Sequence, residues 1–205
     1  MQTQQDRNTI FLRGELAQAP RFSHESHGVS YHTFPIRVSR LSGAEDELNV
    51  LAAREMLARL ELEAGERVEL TGEVRSFNNR SGQGSRLVIS VLARALERSE
   101  EEPENRLFLT GTLCKEPVYR RTPLGRDICD LLLAVNRRYG RTDYLPCISW
   151  GSLALACRDL PVGTRLLLDG RLQSRVYYKE EDGVKVPHTA FEVSVMTMEL
   201  NGAEP

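Results

Sequence analysis

Aromatic side chains interleaved with cations are the groups here best suited to chemistry. Arg137, Arg138 and Arg141 flank Tyr139, and Arg175, Lys179 and Lys185 flank Tyr177 and Tyr178. Arg120, Arg121 and Arg126 form a further basic cluster upstream, while Tyr144 and Trp150 bracket an apolar run. Flat rings among cations are the footprint of a groove that holds a single nucleic-acid strand. Two other sets of side chains could in principle do chemistry. His24, His27 and His32 are spaced closely enough to face one metal, but the polar sequence around Gly28 reads as a hairpin tip, with no carboxylate or cysteine completing a ligand set. Cys114, Cys129, Cys147 and Cys157 show no Cys-x-x-Cys spacing and sit among apolar neighbours, which predicts buried reduced thiols. There is no phosphate loop and no nucleophile motif, so neither an enzyme nor a cofactor or metal is expected.

The elements that must position these groups repeat. Shifting the sequence by 97 residues lays Asn8 on Asn105 and Ala53 on Trp150, with 12 identities in 46 positions. Chance would give about three. They include Gly14/Gly111, Gly28/Gly125, Arg40/Arg137 and Asp46/Asp143. After one inserted residue Gly72/Gly170 and Ser76/Ser174 also agree. Two copies of one domain follow, at 8–96 and 105–200, joined by an acidic linker at 97–104. Within each copy the apolar period is that of strands. Strands are expected at 11–16, 31–38 and 47–51, then a helix from Arg54 toward Leu62, then strands at 68–74 and 86–96. The second copy repeats them at 108–113, 128–135, 144–149, 166–172 and 189–200. The glycine inside each first strand predicts a bend or a close backbone approach. Three strands, a helix and two strands make an all-β, five-stranded Greek-key barrel with one short helix, the OB-fold, present here twice.

The second copy also resembles a known family. Asn105-Arg-Leu-Phe-Leu-Thr-Gly-Thr-Leu-Cys-Lys-Glu-Pro117, Tyr144-Leu-Pro-Cys-Ile-Ser-Trp-Gly151 and the stretch from Pro161 to Tyr177 resemble the first, third and fourth strands of bacterial single-stranded DNA-binding proteins. The whole chain looks like the tandem version of that family. The resemblance implies base stacking on Tyr139, Tyr144, Trp150 and Tyr177, with Tyr178 able to substitute for Tyr177. Phosphate contacts would then come from Arg120, Arg121, Arg126, Arg137, Arg138, Arg141, Arg175, Lys179 and Lys185. Alternation along the third strand puts Tyr144, Ile148 and Trp150 on one face. In the first copy the corresponding stacking positions are Ser42, Glu47 and Ala53, so it reads as a scaffold, or as a weak binder through Phe77, Arg75, Arg80 and Arg86.

Charge distribution agrees with this asymmetry. The net charge of −2 looks unfavourable for nucleic acid. Yet residues 8–96 hold 11 basic and 11 acidic side chains, residues 105–200 hold 14 and 11, and the linker holds one arginine against five glutamates. The acidity lies in the linker. No apolar stretch is long enough to span a bilayer and the first seven residues have no apolar core, so a cytoplasmic, nucleoid-associated protein is expected. The expected partner is single-stranded DNA in replication, recombination or repair. The resemblance further implies a homodimer supplying four barrels. The family's acidic, apolar-tipped tail is not recognisable in Asn201-Gly-Ala-Glu-Pro205, which puts tail-mediated recruitment of repair enzymes in doubt. The alternative function is a protein-interaction or primosome-like adaptor with little affinity for DNA.

Overall fold

The computed structural model describes residues 6–79, 87–181 and 183–200. The chain divides into two compact units. The first comprises Thr9–Arg106 with Gln173–Ala190; the second comprises the described parts of Met1–Asn8, Leu107–Leu172 and Phe191–Pro205.

The first barrel is built from β1 (Asn8–Leu16), β2 (Arg21–Ser26), β3 (Val29–Ser39), β4 (Glu45–Ala53), α1 (Arg54–Leu57), β5 (Arg67–Asn78) and β6 (Leu87–Arg98). β1 pairs antiparallel with both β3 and β5, β3 with β4 and β5 with β6, while β4 runs parallel to β6. That circuit closes a five-stranded barrel. Its interior is the inward half of each alternating strand, including Leu12, Phe34, Ile36, Leu48, Val50, Leu70 and Val91, all buried.

The second barrel repeats the circuit with β7 (Glu104–Leu113), β9 (Asp127–Asn136), β10 (Thr142–Trp150), β11 (Arg165–Glu181) and β12 (Val184–Leu200), with β8 (Val118–Arg121) added to β9 and α2 (Ser152–Cys157) after β10. β7 pairs with β9 and β11, and β10 runs parallel to β12. The glycine of each first strand lies where that strand passes its neighbour closely. A Cβ on Gly14 would stand 2.2 Å from the Arg37 carbonyl oxygen, and one on Gly111 would stand 3.1 Å from that of Ala134.

Three details depart from the sequence reading. The helix expected from Arg54 toward Leu62 is a single turn; Ala53 gives it no side-chain cap, and so short a helix has little stability of its own. The hairpin tip read around Gly28 is present, but the polar residues leading to it, Arg21–Ser26, form an exposed edge strand. Backbone pairing to β3 makes it a strand, and burial does not contribute. Its turn uses His27 and Gly28, both with positive φ (49° and 75°), as a two-residue hairpin requires. Strands take up three of the eight residues at 97–104, leaving 99–103 between β6 and β7. Arg13 gathers its charge, pairing with Glu69 at 2.7 Å, Glu101 at 3.0 Å and Glu104 at 3.4 Å. No described helix is long and apolar enough to cross a membrane.

Candidate nucleic-acid interface

β10 presents alternate faces. Leu145, Cys147 and Ser149 turn inward, while Tyr144, Pro146, Ile148 and Trp150 face outward. Residues directly opposite in antiparallel strands share a face, so the pairing register extends this surface across the sheet. Trp150 stands opposite Ile128, which stands opposite Arg120; Ile148 stands opposite Asp130; and Tyr144 stands opposite Ala134. Trp150 is 40% exposed and Tyr144 47%, whereas Ile148 between them is 4% exposed. The result is an apolar floor with a ring at each end.

Tyr139 sits at the tip of the β9–β10 loop, 96% exposed, in a single turn of 3-10 helix over Arg138–Gly140. Its φ of 63° is left-handed, an unusual conformation for a bulky residue. The loop is held from below. Arg137 donates through Nε to Oδ2 of the buried Asp143 at 2.6 Å, and its second nitrogen bonds Oδ1. The Arg137 N–H donates to the Arg141 carbonyl at 2.8 Å. Asp6, also buried, accepts from the Asn136 N–H at 2.8 Å and pairs with Arg165. Asp6 itself carried no signal in the sequence, although Arg165 recurs as the repeat counterpart of Arg67.

Three of the expected phosphate contacts are paired with carboxylates. Arg137 is committed to Asp143, and Arg120 forks onto Asp130 at 3.0 and 3.2 Å. Arg121 lies 3.6 Å from Asp127, which also accepts from the Tyr119 hydroxyl at 2.6 Å. That hydrogen bond holds the Tyr119 phenol above its usual pKa. Arg126, Arg138 and Arg141 are exposed.

Tyr177, Tyr178, Arg175, Lys179 and Lys185 form a separate group, because the β11–β12 hairpin from Gln173 to Ala190 belongs to the first unit. Ser174 fastens it there. Its N–H donates to Asp46 Oδ1 at 2.7 Å, its hydroxyl accepts from the Glu47 N–H at 3.2 Å, and its carbonyl accepts from Arg40 at 3.2 Å. Beyond this anchor Tyr177 stacks on His188 with centroids 5.6 Å apart, and Arg175 and Lys179 lie 5.7 and 6.0 Å from its ring. Tyr178 points to solvent. The five expected stacking residues are therefore divided, with Tyr139, Tyr144 and Trp150 in the second unit and the two hairpin tyrosines in the first. Of the weaker set, Phe77 is half exposed and Arg75 pairs with Glu73, while Arg80 and Arg86 lie outside the described residues.

All four cysteines belong to the second unit and are free thiols. Burial pushes Cys129 up to about 11 and raises Cys114, Cys147 and Cys157 as well, so they are poor nucleophiles near neutrality. Among the described residues no cluster of histidine, cysteine and carboxylate is placed to hold a metal.

Comparison with known proteins bears on this surface. A family model described as the single-strand binding protein family matches residues 104–200. Single-stranded DNA-binding protein 2 of Chlorobaculum tepidum is 35% identical over 89 residues, covering 38% of this chain and 60% of that protein. The match to the same-named protein of Listeria innocua covers 55% of it, so the chain spans little more than half of these relatives. The single-stranded DNA-binding protein of Deinococcus radiodurans is 25% identical over 232 residues, covering 96% of this chain and 76% of that one. The crystal structure of wild-type single-stranded DNA binding protein from Thermus aquaticus superposes with a TM-score of 0.77 at 24% identity, covering 98% and 96% of the two chains. That likeness is one of fold, and it spans both barrels. Residues 104–200 thus match the single-strand binding protein family, and the chain as a whole folds as two OB barrels in tandem.

Proposed function

We propose that this protein binds single-stranded DNA without catalysis and largely without regard to sequence, in replication, recombination or repair. The observation that carries the reading is the outward face of β10, with Tyr144 and Trp150 at the ends of an apolar strip, and Tyr139 exposed in the loop that leads into that strand. Bases would stack on these rings. Arg126, Arg138 and Arg141 would follow the phosphates, while Arg137 acts through Asp143 to hold the Tyr139 loop. The family likeness supports the same reading, as does the positive charge of the second copy. A homodimer, bringing four barrels to one strand, and a location with the nucleoid are part of it.

Trp150 is the only tryptophan, so its fluorescence reports on this face alone. Oligo-dT should quench it, and Tyr144→Ala should weaken that binding by about tenfold, consistent with about 1–3 kcal/mol per stacked base. Affinity should also fall steeply as salt rises, because bound counterions are released. A chain whose Trp150 emission is unmoved by long oligo-dT at low salt would instead be the protein-interaction module that this fold also supports.

A further inference from the structure

β9 runs on past its pairing with β7. That pairing consists of Ala134 opposite Thr112 and Leu133 opposite Leu113. Asn136, the last residue of β9, stands two places beyond it, at the neck of the Tyr139 loop. Its backbone N–H and C=O need partners there. Asp6 supplies both. The Asp6 N–H donates to the Asn136 carbonyl at 3.1 Å, and Asp6 Oδ2 accepts from the Asn136 N–H at 2.8 Å. Asn136 Oδ1 in turn accepts from the hydroxyl of Thr142, the first residue of β10, at 3.2 Å. A residue near the start of the chain therefore closes the neck from which the loop springs.

Asp6 is itself held. It is buried, and its Oδ1 pairs with Arg165 at the start of β11. Beside it the Arg7 carbonyl accepts from the Thr110 N–H at 2.8 Å, and the Arg7 guanidinium lies 4.4 Å from the centre of the Phe108 ring. A carboxylate stitched down in this way restricts the loop. Tyr139 needs that restriction, because a bulky residue does not keep a left-handed φ of 63° unless its surroundings impose it.

The first barrel lacks the tie. Carried two residues back, the repeat offset sets Pro103 where Asp6 stands, Ser39 where Asn136 stands and Ser42 where Tyr139 stands. Proline offers neither a carboxylate nor an N–H. Arg67, the counterpart of Arg165, donates instead to the Glu100 carbonyl at 3.3 Å. Ser39, Arg67 and Pro103 line a cavity of about 260 Å³. The carboxylate is present in the barrel whose loop carries a ring, and missing from the barrel whose loop carries serine.

We propose that Asp6 is a positioning residue for Tyr139, so that the start of the chain completes the strand-binding loop of the second barrel. This rests on the function proposed above.

The test uses the full chain and two measurements. In an oligo-dT titration Asp6→Ala should weaken binding by about fivefold, part of what one stacked base contributes. Added to Tyr139→Ala it should cost nothing further, because the ring it positions is gone; a residue needed only for stability would weaken both backgrounds alike. Asp6→Asn keeps an oxygen for the Asn136 N–H and should stay within about twofold of the wild type. Limited trypsin digestion reads the loop without DNA. Asp6→Ala should speed cleavage after Arg138 and Arg141 several-fold and leave cleavage after Arg120 and Arg121 unchanged, whereas a general loosening would speed all four. Should Asp6→Ala not fold, Asp6→Pro installs the residue with which the first barrel folds. Wild-type affinity and wild-type loop cleavage in the loss variant would overturn the proposal, as would equal losses in the two backgrounds. A chain that bound no oligo-dT, but whose loop still opened on Asp6→Ala, would remove the function proposed above and leave Asp6 as the residue that sets Tyr139.

Discussion

The two barrels keep the same interior and differ on the same outward face. Arg40 and Asp46 in the first form the ion pair that Arg137 and Asp143 form in the second, each with a buried carboxylate. Outside, the second barrel carries Tyr144 and Trp150 on one strand, whereas the first carries glutamate and alanine there and has Tyr31 opposite Ala53 on the adjacent strand. A buried ionised carboxylate cannot lose its partner cheaply, so the pair persists in both copies. An outward position is constrained only by what it binds, and there the copies have diverged. The titratable residues divide in the same way, with every histidine in the first unit and every cysteine in the second.

The largest effects should come from the shared interior. Asp143→Ala and Asp46→Ala should each cost about 3 kcal/mol, because each strands a guanidinium beside an empty site. Urea unfolding followed by Trp150 emission reads the second barrel, and far-ultraviolet circular dichroism reads both. A silent Asp46→Ala would show that the repeated pair holds only one barrel together.

The outward faces can be made more alike. Ala53→Trp places a second large ring opposite Tyr31, and should tighten oligo-dT binding to the first barrel by about 1 kcal/mol. No gain in a strand titration would mean that this face does not meet the strand.

The smallest effect is an alkaline one. The folded second barrel holds Cys129 protonated up to about 11, above the usual thiol value. The unfolded chain therefore loses this proton first, and stability declines as pH rises from about 9 toward 11. Melts monitored at Trp150 should show the decline, and Cys129→Ala should make it shallower, with Cys114, Cys147 and Cys157 carrying the remainder. The first barrel has no cysteine and lacks this contribution.

Much of the molecule could be read from residue order. The repeat was visible because buried alternation, turn glycines and the Arg40/Arg137 and Asp46/Asp143 pairs recur at one offset. Tyr139 stood out because its neighbours are basic, and Trp150 because with Tyr144 it brackets an apolar run. What escaped was anything set by pairing across strands. β2 is too polar to announce itself as a strand. The tie from Asp6 to Asn136 joins residues far apart in sequence, and so does the tie from Ser174 to Asp46.

The sequence by itself determined that there are two barrels, which strand faces are apolar, and that flat rings and cations gather in the second half. Only the tertiary structure decided what each ring is tied to. It anchors the hairpin of Tyr177 and Tyr178 to Asp46 in the first unit, and it sets Tyr31 opposite Ala53. The physical reason is that a strand's own alternation says which residues share its face, while the partner on the next strand is chosen by hydrogen-bond register. A bulge of one residue, as at Ser23, changes that choice without changing composition.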